Sequence, residues 1–367
     1  MFDQNEAHRH SGVSLASVVI SLLQGDLTPL TSYNDSNEIA QFILYHGLST
    51  HTYHTLIQNG MHGNLTDRVK SNYFTISIRN AQVFETYRVV AELFEQNQIA
   101  YMPLKGSFLL PMIYNDTAGR NISDLDILIH PSDHTKVQQL LMDRGALQEE
   151  EGESDLLQDL GHHYAPFTLF NTSIEIHARL FPKNMRYQIP IEAVWQNREE
   201  YQTNGKVVYG VNQIQLIAYL ALHIHYSEMR GEYRLYWYLD LYKLISQNSN
   251  LITLDLISLL KSQRIAKPVL KILSRVAYLF NLNLPYIKPL SVKEARLFAN
   301  CLGGDEKRLN KGYSIVFERL LYTKGWGDKY RYLRDTVMHK KGSDSGKGIH
   351  SRITKLVKNT LFYWIRK

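Results

Sequence analysis

The sequence predicts an α/β (α+β) protein, with a mixed β-sheet core flanked by helices, an N-terminal helical region and a C-terminal helical domain. Three observations predict it. The first hundred residues and nearly everything after Asn212 carry apolar residues at helical spacing. Between them, residues 99–180 break into short β-like runs separated by polar turns. Their order, strand, helix, strand, helix and then a hairpin, gives a βαβ start with antiparallel additions, hence a mixed sheet.

The elements follow in order. Val13 to Leu23 and Glu38 to Tyr45 are short apolar helices stopped near Gly25 and Gly47. Thr66 to Asn97 places Val69, Tyr73, Ile76, Val83, Tyr87, Val90 and Leu93 at three- and four-residue spacings, without proline or glycine. It reads as one long amphipathic helix. Ile99 to Leu104 is a short strand, Lys105-Gly106-Ser107 a turn, and Phe108 to Tyr114 an apolar helix. A polar loop from Asn115 to Ser123 leads into a buried strand, Leu125 to Ile129, and Asp133 to Arg144 forms a helix ended by Gly145. His163 to Phe170 and Ser173 to Leu180 form a hairpin joined by Asn171-Thr172. Helices over Gln213–Tyr226, Tyr233–Ile245, Leu254–Gln263 and Lys267–Phe280 make the C-terminal domain. The expected division is 1–97, an N-terminal helical region; 98–210, the α/β domain; 211–337, the helical domain; and 338–367, a basic tail.

Composition narrows the function classes. At 367 residues, with 44% hydrophobic and 21% charged residues, the chain has the make-up of a soluble protein of two domains. Its net charge of +6 is uneven. From Met338 onward eight Lys/Arg stand against Asp344 alone, so the tail carries the excess and the body is near neutral. A GSDSGKG linker precedes a basic helix, Ile349 to Ile365, whose Phe362, Tyr363 and Trp364 suit an anionic membrane surface as well as nucleic acid. Glu149 to Asp159 is a solvated acidic stretch. The lone Cys301 permits no internal disulfide and fits a small buried hydrophobe. No secretory signal and no apolar run of about 20 residues is present, so the expected location is the cytoplasm.

Chemistry concentrates at Ser123-Asp124-Leu125-Asp126. Strand side chains alternate, so Asp124 and Asp126 share a face about 7 Å apart, with Leu125 turned into the core. Two carboxylates so placed repel unless a cation sits between them, and a hard divalent ion such as Mg²⁺ or Mn²⁺ fits. Upstream, Gly106 lets the backbone approach a phosphate, the helix start and Ser107 offer donors, and Lys105 offers a point charge. Downstream, Glu175 and His177 share one face of a strand. A third carboxylate there completes a two-metal site for phosphoryl or nucleotidyl transfer.

These residues resemble a known family. Leu104-Lys105-Gly106-Ser107, then Arg120 and Ser123 to Ile129, then Ile174-Glu175-Ile176-His177, are similar to the bacterial family usually labelled "uncharacterised nucleotidyltransferase", of the wider DNA polymerase β-like superfamily. The likeness spans about residues 85 to 250 and is specific for the fold, not the substrate. It implies that Asp124, Asp126 and Glu175 are catalytic metal ligands, and that Lys105, Gly106, Ser107, Arg120 and His177 line the nucleotide. Arg120 would stand at the mouth of the site. His223 and Arg234 through Asp240 either wall the cleft or join helices as buried polar groups. Two departures stand out: a long gap from Gly106 to Asp124, and Glu in place of the commoner Asp at the third position. The implied reaction is Mg²⁺- or Mn²⁺-dependent transfer of an NMP from an NTP to an acceptor hydroxyl. Relatives suggest a cell-surface polysaccharide context, with a sugar or glycan acceptor, a protein or RNA acceptor staying open, and the tail bringing the enzyme to the inner membrane face. The alternative within the fold is a catalytically silent nucleotide-binding protein.

Two other classes fit less well. A zinc hydrolase would draw on His162, His163, His177, His223 and His225, but no HExxH occurs. A nucleic-acid module has only the tail to stand on.

Overall fold

The structure, a computed structural model, describes residues 15–32, 36–114, 116–149, 160–203, 206–247, 251–303 and 311–338. The basic tail, its linker and the acidic stretch beyond Glu149 lie outside these residues.

A five-stranded mixed sheet forms the centre, flanked by helices. Its strands are β1 (Tyr101–Pro103), β2 (Asp124–Ile129), β3 (Leu147–Gln148), β4 (Phe167–Leu169) and β5 (Thr172–His177). They lie in the order β1-β2-β5-β4-β3. Only β2 and β5 run parallel. Alternation divides the sheet into two faces. Leu125, Ile127, Ile129, Ile174 and Ile176 bury themselves in one apolar cluster with Val83, Val90, Phe94, Val137 and Leu141. Asp124, Asp126, Leu128, Glu175 and His177 therefore face the other way, and Leu128 belongs to the second, larger cluster.

Four short helices come first: α1 (Leu15–Leu23), α2 (Thr28–Ser32), α3 (Ser36–Tyr45) and α4 (Ser49–Gln58). The long helix is α5 (Asn64–Gln96), 33 residues and so about 50 Å from end to end. Val69 packs in the larger cluster, while Val83, Val90 and Phe94 cover the sheet. Arg88 ties Glu85 and Glu92 along its solvent side. The helix stops at Asn97 and the positive-φ Gln98, and the chain drops into β1.

Between β1 and β2 stands α6 (Lys105–Ile113); the expected turn at Lys105–Ser107 is its first helical turn. After β2 comes α7 (His134–Asp143). The hairpin turn is Phe170-Asn171, one residue earlier than expected, with Thr172 already in β5. Both turn residues have positive φ, as a two-residue hairpin of right-handed twist demands. Phenylalanine there carries no turn signal, which is why composition points past it. Sequence periodicity also misses helix α8 (Ile191–Gln196) and a second hairpin, β6 (Glu199–Thr203) with β7 (Lys206–Gly210). That hairpin packs on α6. Tyr201 meets Phe108 edge-on at 4.9 Å, and a Cβ on Gly210 would lie 2.4 Å from the Phe108 ring.

The helical part begins with α9 (Gln213–Met229), nearly all buried, capped by Asn212 accepting from the Gln215 amide. It continues with α10 (Leu235–Gln247), α11 (Leu254–Ser262), α12 (Ala266–Leu279), α13 (Val292–Gly303), α14 (Lys311–Tyr322) and α15 (Trp326–Met338). The larger apolar cluster runs from α1 through α6 and Leu180 into α9–α13, so the helices before and after the sheet share one core. Among the described residues no helix is long and apolar enough to cross a membrane.

Candidate active site

Parallel pairing sets Asp126 beside Glu175 and Leu128 beside His177. The His177 Nε2 lies 2.8 Å from Asp126 Oδ1 and 3.5 Å from Glu175 Oε2. Lys105 Nζ donates to the same Asp126 oxygen at 2.6 Å. Asp126 and His177 are wholly buried, while Lys105 and Glu175 reach solvent. Burial pushes the Asp126 carboxyl up, but Lys105 and His177 outweigh it and hold that group well below the carboxylate range. Burial also works against charge on Lys105 and His177. Asp126 reverses this for both, Glu175 assisting, so each is held above its ordinary value. Glu175, resisted by burial, is drawn below its ordinary value mainly by His177. Asp124, one alternation up the strand, is raised by burial and then by Asp126, and accepts from the Ser123 hydroxyl at 3.0 Å. The cluster thus holds two anions that are already neutralised and one carboxylate, Asp124, whose charge is resisted.

The loop ahead of α6 is tied to the same strand. The Leu104 amide donates to the Asp126 carbonyl at 2.9 Å. The buried Ser107 hydroxyl donates to the Leu104 carbonyl at 3.0 Å, so it braces the loop. Lys105 sits in the left-handed region at φ 45°, a conformation costing a non-glycine residue about 1 kcal/mol. That backbone carries the ammonium onto Asp126. At Gly106 an added Cβ would meet Arg120 Nη1 at 2.3 Å and Ile122 at 3.1 Å, so glycine lets the guanidinium lie against the loop.

Arg120 is buried. Its Nε donates to Asp240 Oδ2 at 2.8 Å, and the Tyr114 hydroxyl donates to Asp240 Oδ1 at 2.7 Å. The guanidinium also stands over the Tyr236 ring. Asp240 is a buried polar group, but its partners are Arg120 in the loop before β2 and Tyr114 at the end of α6, not His223 on α9. The loop that carries Arg120 is clamped by Asn80 of α5. Its amide donates to the Thr117 and Arg120 carbonyls, at 2.7 and 2.8 Å, and its oxygen accepts from the Ile122 amide at 3.1 Å.

A family model described as "Uncharacterised nucleotidyltransferase" matches residues 32–281, more than half of the chain. The chain belongs to the uncharacterised nucleotidyltransferase family. No curated protein matches it. The family match takes in the sheet, the helices before it from Ser32, and the helical part to the end of α12, a wider span than the motifs alone delimit.

In this nucleotidyltransferase the acid face is roofed by side chains that sequence spacing does not flag. Tyr219, on α9, feels the charges of Lys105, Asp126 and Glu175, and its buried hydroxyl has no hydrogen-bond partner among the described residues. His223, one turn on, is half-buried and pushed down to about 3 by desolvation first and Lys105 next. The His162 and His163 rings stand 5.2 and 5.6 Å from the His177 ring.

A metal fits this donor set. Among the described residues, Asp126, Glu175 and His177 bring one donor atom each within 4.8 Å of one another. Asp124 stands on the same face but outside that group, and His177 enters in its place. Two carboxylates and an imidazole suit Mn²⁺ at least as well as Mg²⁺, which favours oxygen alone.

Proposed function

We propose that the protein is a Mg²⁺- or Mn²⁺-dependent nucleotidyltransferase of the DNA polymerase β-like superfamily that moves an NMP from an NTP to an acceptor hydroxyl. The observation that carries this reading is the parallel pairing of Asp126 with Glu175, which puts two carboxylates and His177 on one sheet face beside the Lys105-Gly106 loop. Asp124, Asp126 and Glu175, with His177, would hold the metal, whose chemistry is to polarise the phosphates of the NTP. In the transfer, the acceptor oxygen attacks the α-phosphorus as the bond to the β-phosphate breaks. Pyrophosphate leaves, and the acceptor proton passes to a carboxylate.

Asp124 is the suited proton acceptor. Like Glu175 it is half-buried, but its pKa is raised, by burial and by Asp126, where those of Asp126 and Glu175 are lowered. Lys105 supplies positive charge for the triphosphate. Gly106 gives close backbone approach, with Arg120 behind it. The acceptor class proposed is a cell-surface sugar or glycan, with protein or RNA as the competing outcome of the assay. A tail-borne contact with the inner membrane face belongs to the same proposal.

One observation favours a silent nucleotide-binding protein. Asp126 Oδ1, which a metal would need, already takes both Lys105 and His177. The experiment is incubation of each α-phosphate-labelled NTP with Mg²⁺ or Mn²⁺ in cell extract, comparing wild type with Asp126→Asn. Label should move onto an extract component with wild type only, the variant losing at least about a hundredfold. Metal-dependent NTP binding without transfer would leave the silent reading standing. Equal transfer by the variant would overturn the enzyme assignment.

A further inference from the structure

A cleft of about 620 Å³ opens away from the acid cluster, between α4, the loop after α6 and α10. Its lining residues include none of the acid cluster or the phosphate loop. The size is that of small-molecule sites. Its walls are partly apolar, with Tyr114 and Tyr242 among them, and Lys243, His51, His54, Asp116 and Ser246 supply the polar groups.

The cleft's carboxylate, Asp116, and its ammonium, Lys243, are not paired with each other. Asp116 is saturated: it takes His54 at 2.5 Å, the Ala118 amide at 2.7 Å and the Tyr73 hydroxyl at 3.5 Å. Asp240, behind the wall, is bonded by Arg120 and Tyr114, and its charge also reaches Lys243. Lys243 is left with the Tyr114 ring, 5.0 Å from its ammonium, and no carboxylate within ion-pair distance among the described residues. Partial burial pulls its pKa down. His51 has no protein partner for its ring nitrogens among the described residues. Burial, then Lys243, lowers it to about 4, so it stands neutral as a donor. A half-buried cation with no carboxylate in direct contact, facing an open concave wall with a neutral N–H donor beside it, can serve as a site for an anion.

We propose that the cleft binds the phosphate group of a phosphorylated small molecule, with Lys243 as its counter-ion and His51 as a neutral donor. Tyr114 lines the cleft and bonds the carboxylate that holds Arg120 against Gly106. Occupancy is thereby placed one hydrogen-bonded chain away from the phosphate loop.

The test is calorimetric titration of the full chain with inorganic phosphate and with pyrophosphate, without nucleotide or divalent metal. Lys243→Arg should bind close to wild type, and Lys243→Met should lose about tenfold or more, the loss expected for one charge-assisted contact. If Lys243→Met does not fold, Lys243→Gln reads the same charge. No binding by wild type, or equal binding by the neutral Lys243 variants, overturns the proposal. Binding that survives Lys243→Met but fails in Lys105→Met would put the anion at the acid cluster. That result sinks the cleft site and leaves the nucleotidyl-transfer reading untouched.

Discussion

At the residue scale, Tyr219 separates a role in reaction from a role in folding. A buried hydroxyl without a partner costs about 1–3 kcal/mol, and among the described residues none offsets that cost at Tyr219. Its hydroxyl stands within the field of Lys105, Asp126, Glu175 and Asp124. The position suits a donor to the NTP phosphates or the acceptor oxygen, present only once substrate is bound. Tyr219→Phe should therefore unfold at the same temperature as wild type or higher, while turnover falls about tenfold or more. Thermal melts and single-turnover rates on the same preparations check it. Lower stability with unchanged turnover would make Tyr219 a packing residue only. Lys105 carries the opposite arrangement: its left-handed backbone is unfavourable by itself, and the contact with Asp126 holds it there.

At the scale of elements, how much the sequence discloses depends on how local each signal is. The long helix, the buried strand at Asp124–Ile129 and the alternation putting Asp124 and Asp126 on one face are properties of adjacent residues, and they are read correctly apart from a residue or two at the ends. The second hairpin is missed because Glu199–Gly210 mixes charged and apolar residues without clean alternation and its contacts lie with Phe108, although Asn204-Gly205 between its strands was a legible turn signal. The Arg120–Asp240 pair joins residues 120 positions apart, so no spacing could show it. Arg120 was legible as a residue beside the acids, and Asp240 only as one of several polar residues on a helix. Asn80 was not legible at all: an asparagine on an amphipathic helix gives no sign that it clamps a loop.

That clamp carries an element-scale prediction. Asn80 makes three hydrogen bonds to the loop entering β2, all from a buried side chain. Asn80→Ala should cost about 2–4 kcal/mol, the sum of lost bonds and orphaned backbone groups. Arg120 and Asp124 would then be less firmly held, so turnover should fall even where the variant stays folded. Urea unfolding at constant slope gives the first quantity. A loss below about 0.5 kcal/mol, within the range of ordinary surface changes, would mean the loop is held by something other than Asn80.

At the scale of the whole molecule, buried histidines set the pH range of stability. Burial is the leading cause in each case, and it lowers His46 to about 3, His51 to about 4, His223 to about 3, His225 to about 4, and His162 well below its ordinary value. In the unfolded chain these groups take protons as pH falls through about 6.5. In the folded chain the first four refuse them until about pH 3–4, and His162 too resists protonation below its ordinary value. The unfolded state binds more protons between those limits, so stability falls with falling pH, by about 1.4 kcal/mol per unit for each histidine. His177 has the opposite sign, because its folded pKa is raised. What it contributes is present below 6.5 and lost as pH rises through its folded value. Asp126 and Glu175 are lowered, so their contribution begins to be lost only as pH falls below their ordinary carboxylate values, in the lower part of the histidine window. The five histidines outweigh the one. Unfolding midpoints should drop steeply as pH falls between about 6.5 and 4.5, and above 6.5 should change only by His177's single, opposite contribution. His46 offers the cleanest control. It is fully buried, its Nδ1 accepting from the Leu235 amide and its Nε2 facing the Leu302 carbonyl, a pairing that needs the neutral ring. His46→Gln should weaken the protein at neutral pH and flatten the acid slope by about one histidine's share. A midpoint unchanged from pH 7.5 to 5 in wild type would show that these rings protonate freely in the folded protein.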